Sequence, residues 1–227
     1  VVLSRGLGDV YKRQVQQFNF EYEESDKINI TILDTLNQNL NQDNSLLSLN
    51  NSFSNKIHNI LVKKNYSLKK PLIIYQITNE KVSNTNINFQ LNFDLEESSS
   101  IKIVNFSEDN SEKNFINNLF NFNLDKNAIL KNYKIDKKNN TNIKYDYSSI
   151  IQKENSISET FIFSSGSDYV KNEVNCNLEG KYSSAFINGI HLLSKNKHHE
   201  IRTKTNHLYE NTKSYQLIKS VIDDSSK

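Results

Sequence analysis

The stretch INFQLNFDL constrains this chain more than any other. Ile87, Phe89, Leu91, Phe93 and Leu95 alternate without a break with Asn88, Gln90, Asn92 and Asp94. A period of two over nine residues is a strand with one buried and one wetted face. LFNFNL repeats the pattern through Phe120, Phe122 and Leu124, and VNCNL repeats it through Val174, Cys176 and Leu178. Short apolar or alternating runs recur near 72–77, 87–95, 101–106, 119–124, 129–135, 142–147, 159–163, 172–178, 185–193 and 199–207. An evenly spaced train of short strands predicts an all-β fold.

The turn chemistry narrows the architecture. Hairpin sandwiches lean on Gly and Pro, yet from Val15 onward the chain has only Gly166, Gly180, Gly189 and one proline, Pro71. About one residue in six there is Asn, well above ordinary usage. Asn enters the left-handed region more readily than most residues, and it stacks into ladders when strands lie in register. These features predict a solenoid of stacked coils, a parallel β-helix, with a sandwich as the rival.

Two other segments stand apart. Residues 1–14, VVLSRGLGDVYKRQ, hold two of the five glycines and no Asn, and the whole chain has no Met. They are expected to be a foreign, linker-derived tail. Residues 15–70 are expected to form a small mixed or helical segment before a β-helix core over 71–227. Within it, FNFEYEE and INITILDTL fit strand or helix. NSLLSLNNSFSNKIHNIL places Leu46, Leu47, Leu49, Phe53, Ile57, Ile60 and Leu61 at helical spacing, with His58 on the apolar margin.

Bulk properties exclude several functions. The net charge of +2 is mixed along the chain, and no basic block offers a nucleic-acid footprint. Lys63-Lys64 and Lys69-Lys70 read as solvated pairs. No apolar run approaches the ~20 residues of a membrane helix. One cysteine excludes an internal disulfide and a Cys₄ metal site. The cytoplasm is the expected compartment. Cys176 alternates with Val174 and Leu178, so an inert core role is expected. Glu96-Glu97 and Asp223-Asp224 are neighbours on opposite faces and read as turns, not acid/base couples. No G-x-S-x-G elbow or phosphate loop is present.

KHHEIRTKTNH is the densest polar cluster. As a strand it puts His198, Glu200, Arg202, Lys204 and Asn206 on one face and His199, Ile201, Thr203, Thr205 and His207 on the other. His198, Glu200 and His207 are the weak candidates for metal ligands, and their alternation works against a shared site. No catalytic or cofactor-binding residue is expected.

The C-terminal third resembles the SufB/SufD family of iron–sulfur cluster assembly scaffold proteins, on the SufD branch. The resemblance lies in Lys171-Asn172, Leu178, Gly180, Gly189, His198, Glu200, Thr203, Asn206-His207, Ser214, Gln216, Leu217, Lys219 and Asp223-Asp224, in that order. LLSLNNSF and KKPLIIYQI extend it upstream. Glu200 and Asn206 stand where the family usually carries Asp, so a role needing an Asp carboxylate does not carry over to them.

The resemblance implies a right-handed parallel β-helix flanked by helical segments and a scaffold without catalytic activity. It implies SufB and the SufC ATPase as partners, no nucleic acid or membrane, and an iron–sulfur cluster built transiently by the complex rather than held by this chain. The family continues to a Cys-x-His segment and SufC-binding helices, so the chain is expected to be a fragment. A SufB-like paralogue, a β-solenoid carbohydrate-active enzyme and an adhesin are the alternative readings.

Overall fold

The structure is a computed structural model and describes residues 2–6, 13–17, 19–33, 44–54, 57–78, 82–109, 111–137 and 140–227. Its strands are numbered in chain order and, from β4 onward, alternate between two sheets. The even sheet contains β4 (Ile57–Val62), β6 (Asn86–Leu95), β8 (Phe115–Leu124), β10 (Ile143–Gln152), β12 (Tyr169–Leu178) and β14 (His198–His207). The odd sheet contains β5 (Leu72–Thr78), β7 (Ser100–Asp109), β9 (Ile129–Asp136), β11 (Ile157–Ser164), β13 (Ser184–Leu193) and β15 (Lys213–Ile222). Neighbours within these two sets pair in parallel. The chain therefore winds from sheet to sheet as a β-solenoid of about 5 turns.

All ten predicted runs are strands, and β4 and β15 are two more. At the N-terminal end β3 (Ile28–Leu33) pairs antiparallel with β4, which resolves INITILDTL as a strand. FNFEYEE makes turns over 21–23. Strand β1 (Val2–Gly6) lies parallel to β5 and antiparallel to β2 (Arg13–Gln17). Residues 1 and 7–12 of the proposed foreign tail lie outside the described residues.

The corners take up part of the Asn content. Asn65, Ser98, Asn127, Asn155, Tyr182 and Asn211 take positive φ, one at each passage from even to odd sheet, and no glycine among the described residues does. Each of the first four donates its backbone N–H to the next coil, as Asn127 does to the Glu154 carbonyl at 2.9 Å. Asn tolerates this left-handed conformation better than other L-residues with a side chain. The corner that holds Gly180 differs. The two preceding corners fit four residues between strands, 125–128 and 153–156, whereas 179–183 fits five. A Cβ on Gly180 would lie 2.0 Å from the Glu154 backbone nitrogen. That contact with the backbone of the corner below admits only glycine at this point.

The predicted helix is shorter than expected. Helix α1 spans Ser45–Phe53, and Ile57–Val62 is strand instead. Asn44 caps the start by accepting from Leu46 N at 3.0 Å and Leu47 N at 3.3 Å. Ser54 closes the end, its N–H and Oγ both bonded to Asn50. Apolar spacing alone did not separate the two elements. The β-branched run IHNILV is claimed by strand partners on both sides, β3 and β6. His58 thus points into the coil beside Leu91, 7% exposed, rather than off a helix margin.

Helix α1 lies on the outer face of the even sheet. Leu47 packs against Leu119 and Tyr145. Asn50 donates to the Phe89 and Asn117 carbonyls at 3.2 and 2.7 Å, and Asn117 returns a bond to Leu46 O. Inside the coils, in-register columns such as Ile60, Phe93, Phe122, Ile150 and Cys176 make the core. The Phe93 and Phe122 rings stack at 5.1 Å. No helix among the described residues is long and apolar enough to cross a membrane.

Candidate functional site

Two polar clusters lie inside the solenoid, and the sequence reading located only one. The first fills the interior near the return corners. Inward positions of β9 and β10 carry Lys134, Asp136, Lys144 and Asp146. Lys144, its side chain 1% exposed, pairs with Asp136 at 3.0 Å and donates to Ser107. Asp136 also accepts from Ser167 N at 3.4 Å. Asn118 bridges Asp146 at 2.6 Å and exchanges amide hydrogen bonds with Gln76.

Lys134 is different: its buried Nζ has no hydrogen-bond partner. It lies 5.1 Å from the centre of the Phe120 ring. Burial holds its pKa below the ordinary lysine value, with the Asp146 carboxylate pulling weakly the other way. A cavity of about 10 Å³, enough for one water, lies between Lys134, Asp146, Gln76, Asn105 and Asn172. Asn172 of the family pattern therefore faces this layer.

The layer continues upward through histidines. His191 and His199 meet edge to face at 5.9 Å, both nearly buried. Desolvation lowers both pKa values; the His199 ring adds to this for His191, while the Ser167 hydrogen bond and the Asp136 carboxylate pull His199 partly back. His199 Nε2 donates to the Ser167 carbonyl at 2.7 Å, which leaves Nδ1 to accept from Ser164 Oγ at 2.7 Å. This is a serine–histidine couple, but Ser164 is 0% exposed and no substrate can reach it. Its chemistry is structural: it ties β11 to β14 across the coil.

The second cluster occupies inward-facing positions of the last coil and is open to solvent. Thr203 Oγ1 donates to Gln216 Oε1 at 2.6 Å. His207 uses both ring nitrogens, Nδ1 with Thr212 Oγ1 at 2.7 Å and Nε2 with Ser214 Oγ at 2.9 Å. Four residues of the family pattern thereby meet in two pairs, Thr203 with Gln216 and His207 with Ser214.

The other predicted residues go elsewhere. His198 lies outside, stacked on Tyr169 at 5.0 Å. Glu200, also outside, pairs with Lys171 at 3.6 Å. Asn206 donates to Asn177 Oδ1 at 2.7 Å on the outer face. Lys219 is exposed on β15. The alternation predicted from KHHEIRTKTNH is thus observed, and His198, Glu200 and His207 do not converge. Among the described residues no group of three His, Cys, Asp or Glu is gathered around a point that suits a metal.

Gly189 faces inward, where a Cβ would stand 3.0 Å from both Ile201 Cδ1 and Ile218 Cδ1. Cys176 is buried in the core, and desolvation pushes its thiol up to about 12. A thiol so held is neutral and unreactive at neutral pH.

Comparison with curated proteins finds no match. The family described as SUF system FeS cluster assembly, SufBD core domain, matches residues 76–227. That span runs from within β5 through every later coil and contains both clusters. A chain matched over most of its length, with the solenoid coils inside the match, belongs to the SufB/SufD core-domain family of the SUF iron–sulfur cluster assembly system.

Proposed function

We propose that this chain is a SufD-type scaffold subunit that works with SufB and the SufC ATPase in the cytoplasm. The observation that carries this reading is the coincidence of the family match with the coils from β5 onward. The order of pattern residues from Lys171 to Lys219 favours the SufD branch over a SufB-like paralogue. Gly180, Gly189 and Gln216 shape the coils in this reading, and none performs chemistry. The iron–sulfur cluster is cargo of the complex, and ATP hydrolysis belongs to SufC. The enclosed serine–histidine couple and the unreactive Cys176 are consistent with a non-catalytic subunit.

Co-expression with tagged SufB and SufC tests the assignment. The expected result is a complex containing all three chains, with ATPase activity that follows SufC. Recovery of this chain free of both partners overturns it. A complex that forms only when SufB is omitted reassigns it to the SufB branch.

A further inference from the structure

A buried polar group without a partner is costly, so each one in a folded chain calls for a physical account. Lys134 Nζ is a donor without a protein acceptor, and Asn105 Oδ1 is an acceptor without a protein donor. The two residues are register partners at inward positions of β9 and β7, 5% and 7% exposed. Both line the same cavity of about 10 Å³. Across the coil, Asp146 of β10 lines it from the even sheet. Asp146 accepts from Asn118 through Oδ1 at 2.6 Å, and an ionised carboxylate has capacity for further donors.

The chemistry of the lining selects the guest. A volume of about 10 Å³ holds one water-sized molecule and nothing larger. That guest must accept from an ammonium and donate to an amide oxygen. A halide accepts but cannot donate, so Asn105 Oδ1 would stay unpaired. A metal cation would face the Lys134 ammonium, and among the described residues no group of three His, Cys, Asp or Glu suits one. The charges of the layer already cancel: Asp136 is paired with Lys144 at 3.0 Å, which leaves Lys134 against Asp146. A neutral guest keeps that balance. Water meets every condition, with three polar partners in a polar cavity of its own size.

We propose that this cavity is a binding site for one resident water, which accepts from Lys134 Nζ and donates to Asn105 Oδ1 and the Asp146 carboxylate. Bound there, the water links β7 and β9 of the odd sheet to β10 of the even sheet. It also extends the amide bridge that runs from Gln76 through Asn118 to Asp146. The ionic layer is then joined through solvent as well as through side chains. One water replaces only part of the shell that an ammonium holds in solution, so Lys134 stays costly to bury and its pKa stays depressed. The site does not rest on the assignment of SufB and SufC above.

A high-resolution crystal structure of the full chain grown in sodium bromide, with data collected at the bromine absorption edge, tests it. The expected result is one electron-density peak within hydrogen-bond reach of Lys134 Nζ, Asn105 Oδ1 and Asp146, without anomalous signal. An anomalous peak makes the cavity an anion site and overturns the proposal, and so does an empty cavity. In Asn105→Leu, which removes the acceptor and fills the space, the peak should be lost while Lys144 stays paired with Asp136. A peak that persists in this variant also overturns the proposal, because the guest is then not held by these groups. If Asn105→Leu does not fold, NMR of the wild-type chain with isotope-labelled lysine amines decides. The Lys134 amine should receive magnetisation directly from a long-lived water, and a lysine amine that shows no such transfer sinks the proposal.

Discussion

Along β8 the inner side chains toward the Asn127 corner are Phe120, Phe122 and Leu124, whereas along β10 those toward the opposite corner are Lys144 and Asp146. Lys144 is as buried as the apolar set and Asp146 is partly buried; the apolar set recurs from coil to coil, whereas the register partners of Lys144 and Asp146 are Ile116 and Asn118 below and Val170 and Asn172 above. The first set is held by burial of apolar area, which is tolerant of partner identity and requires only complementary volume. The second is held by charge pairing and amide bridges, which compensate a large desolvation cost only in one geometry. One side of the interior supplies the drive to fold, and the other makes a slipped register expensive. A one-coil or two-residue slip would keep phenylalanines buried but would strand Lys144 away from Asp136.

Mutations on the two sides should therefore differ in kind. The largest effect is expected on the apolar side, where Phe122→Ala removes a stacked ring and should cost about 3–5 kcal/mol, read from urea denaturation. Next comes Asp136→Ala, which leaves the buried Lys144 ammonium without its carboxylate and should cost about 3 kcal/mol. The double replacement Asp136→Leu/Lys144→Met should recover most of that loss, since removing both charges removes the penalty. A double variant no better than the single one would show that the pair itself drives folding, and the contrast would collapse.

Lys134→Met should act in the opposite direction and stabilise the fold by about 1–2 kcal/mol, because its charge is buried without a hydrogen bond. The pH dependence has a defined sign. Folding lowers the Lys134 pKa, so the unfolded chain binds the proton more readily than the folded one. Stability from this group falls as pH drops below the ordinary value of 10.5, until the folded site is protonated as well. Lys134→Met should flatten that slope in denaturation series at alkaline pH.

His191 and His199 repeat the argument lower on the scale. Both are depressed by burial, so stability should decline as pH falls below 6.5, with loss of amide protection first in β13 and β14. Hydrogen exchange at neutral and acid pH measures it, and protection lost uniformly across all coils would contradict it. The smallest effect is expected outside, where Glu159→Gln should leave the denaturation midpoint unchanged, since the pair with Lys131 is solvated.

The apolar side was legible in the sequence because period-two alternation and burial agree there. The Asn corners were legible for a similar reason: few residues accept positive φ, so an abundance of Asn with a shortage of Gly says what the corners are. The ionic layer was not legible. In IKYDYSS the aromatic residues suggest the inward phase, yet Tyr145 is buried outside, beneath α1, where it donates to Glu173 at 2.7 Å, and Lys144 and Asp146 turn in. A helix from a distant part of the chain reversed the meaning of the pattern. The recurrence of Lys134, Asp136, Lys144 and Asp146 at two-residue steps in consecutive strands was the available signal. The end of α1 was missed for the converse reason: apolar residues at Ile57, Ile60 and Leu61 fit a helix locally, and only partners far along the chain decide for strand.

The stacked corners have a kinetic consequence. Register partners in successive coils of the even sheet lie a similar distance apart in sequence, as His58 with Leu91, Leu91 with Phe120, Ile150 with Cys176 and Cys176 with Thr205 show. The loop that must close to add a coil therefore varies little in length, and its entropic cost does not rise as the stack grows. Folding can nucleate at any well-packed coil and propagate to its neighbours, with stability accumulating one coil and one interface at a time. Such a chain can gain or lose a whole coil in evolution without renegotiating the rest, and the unit of its inheritance is the circuit rather than the domain.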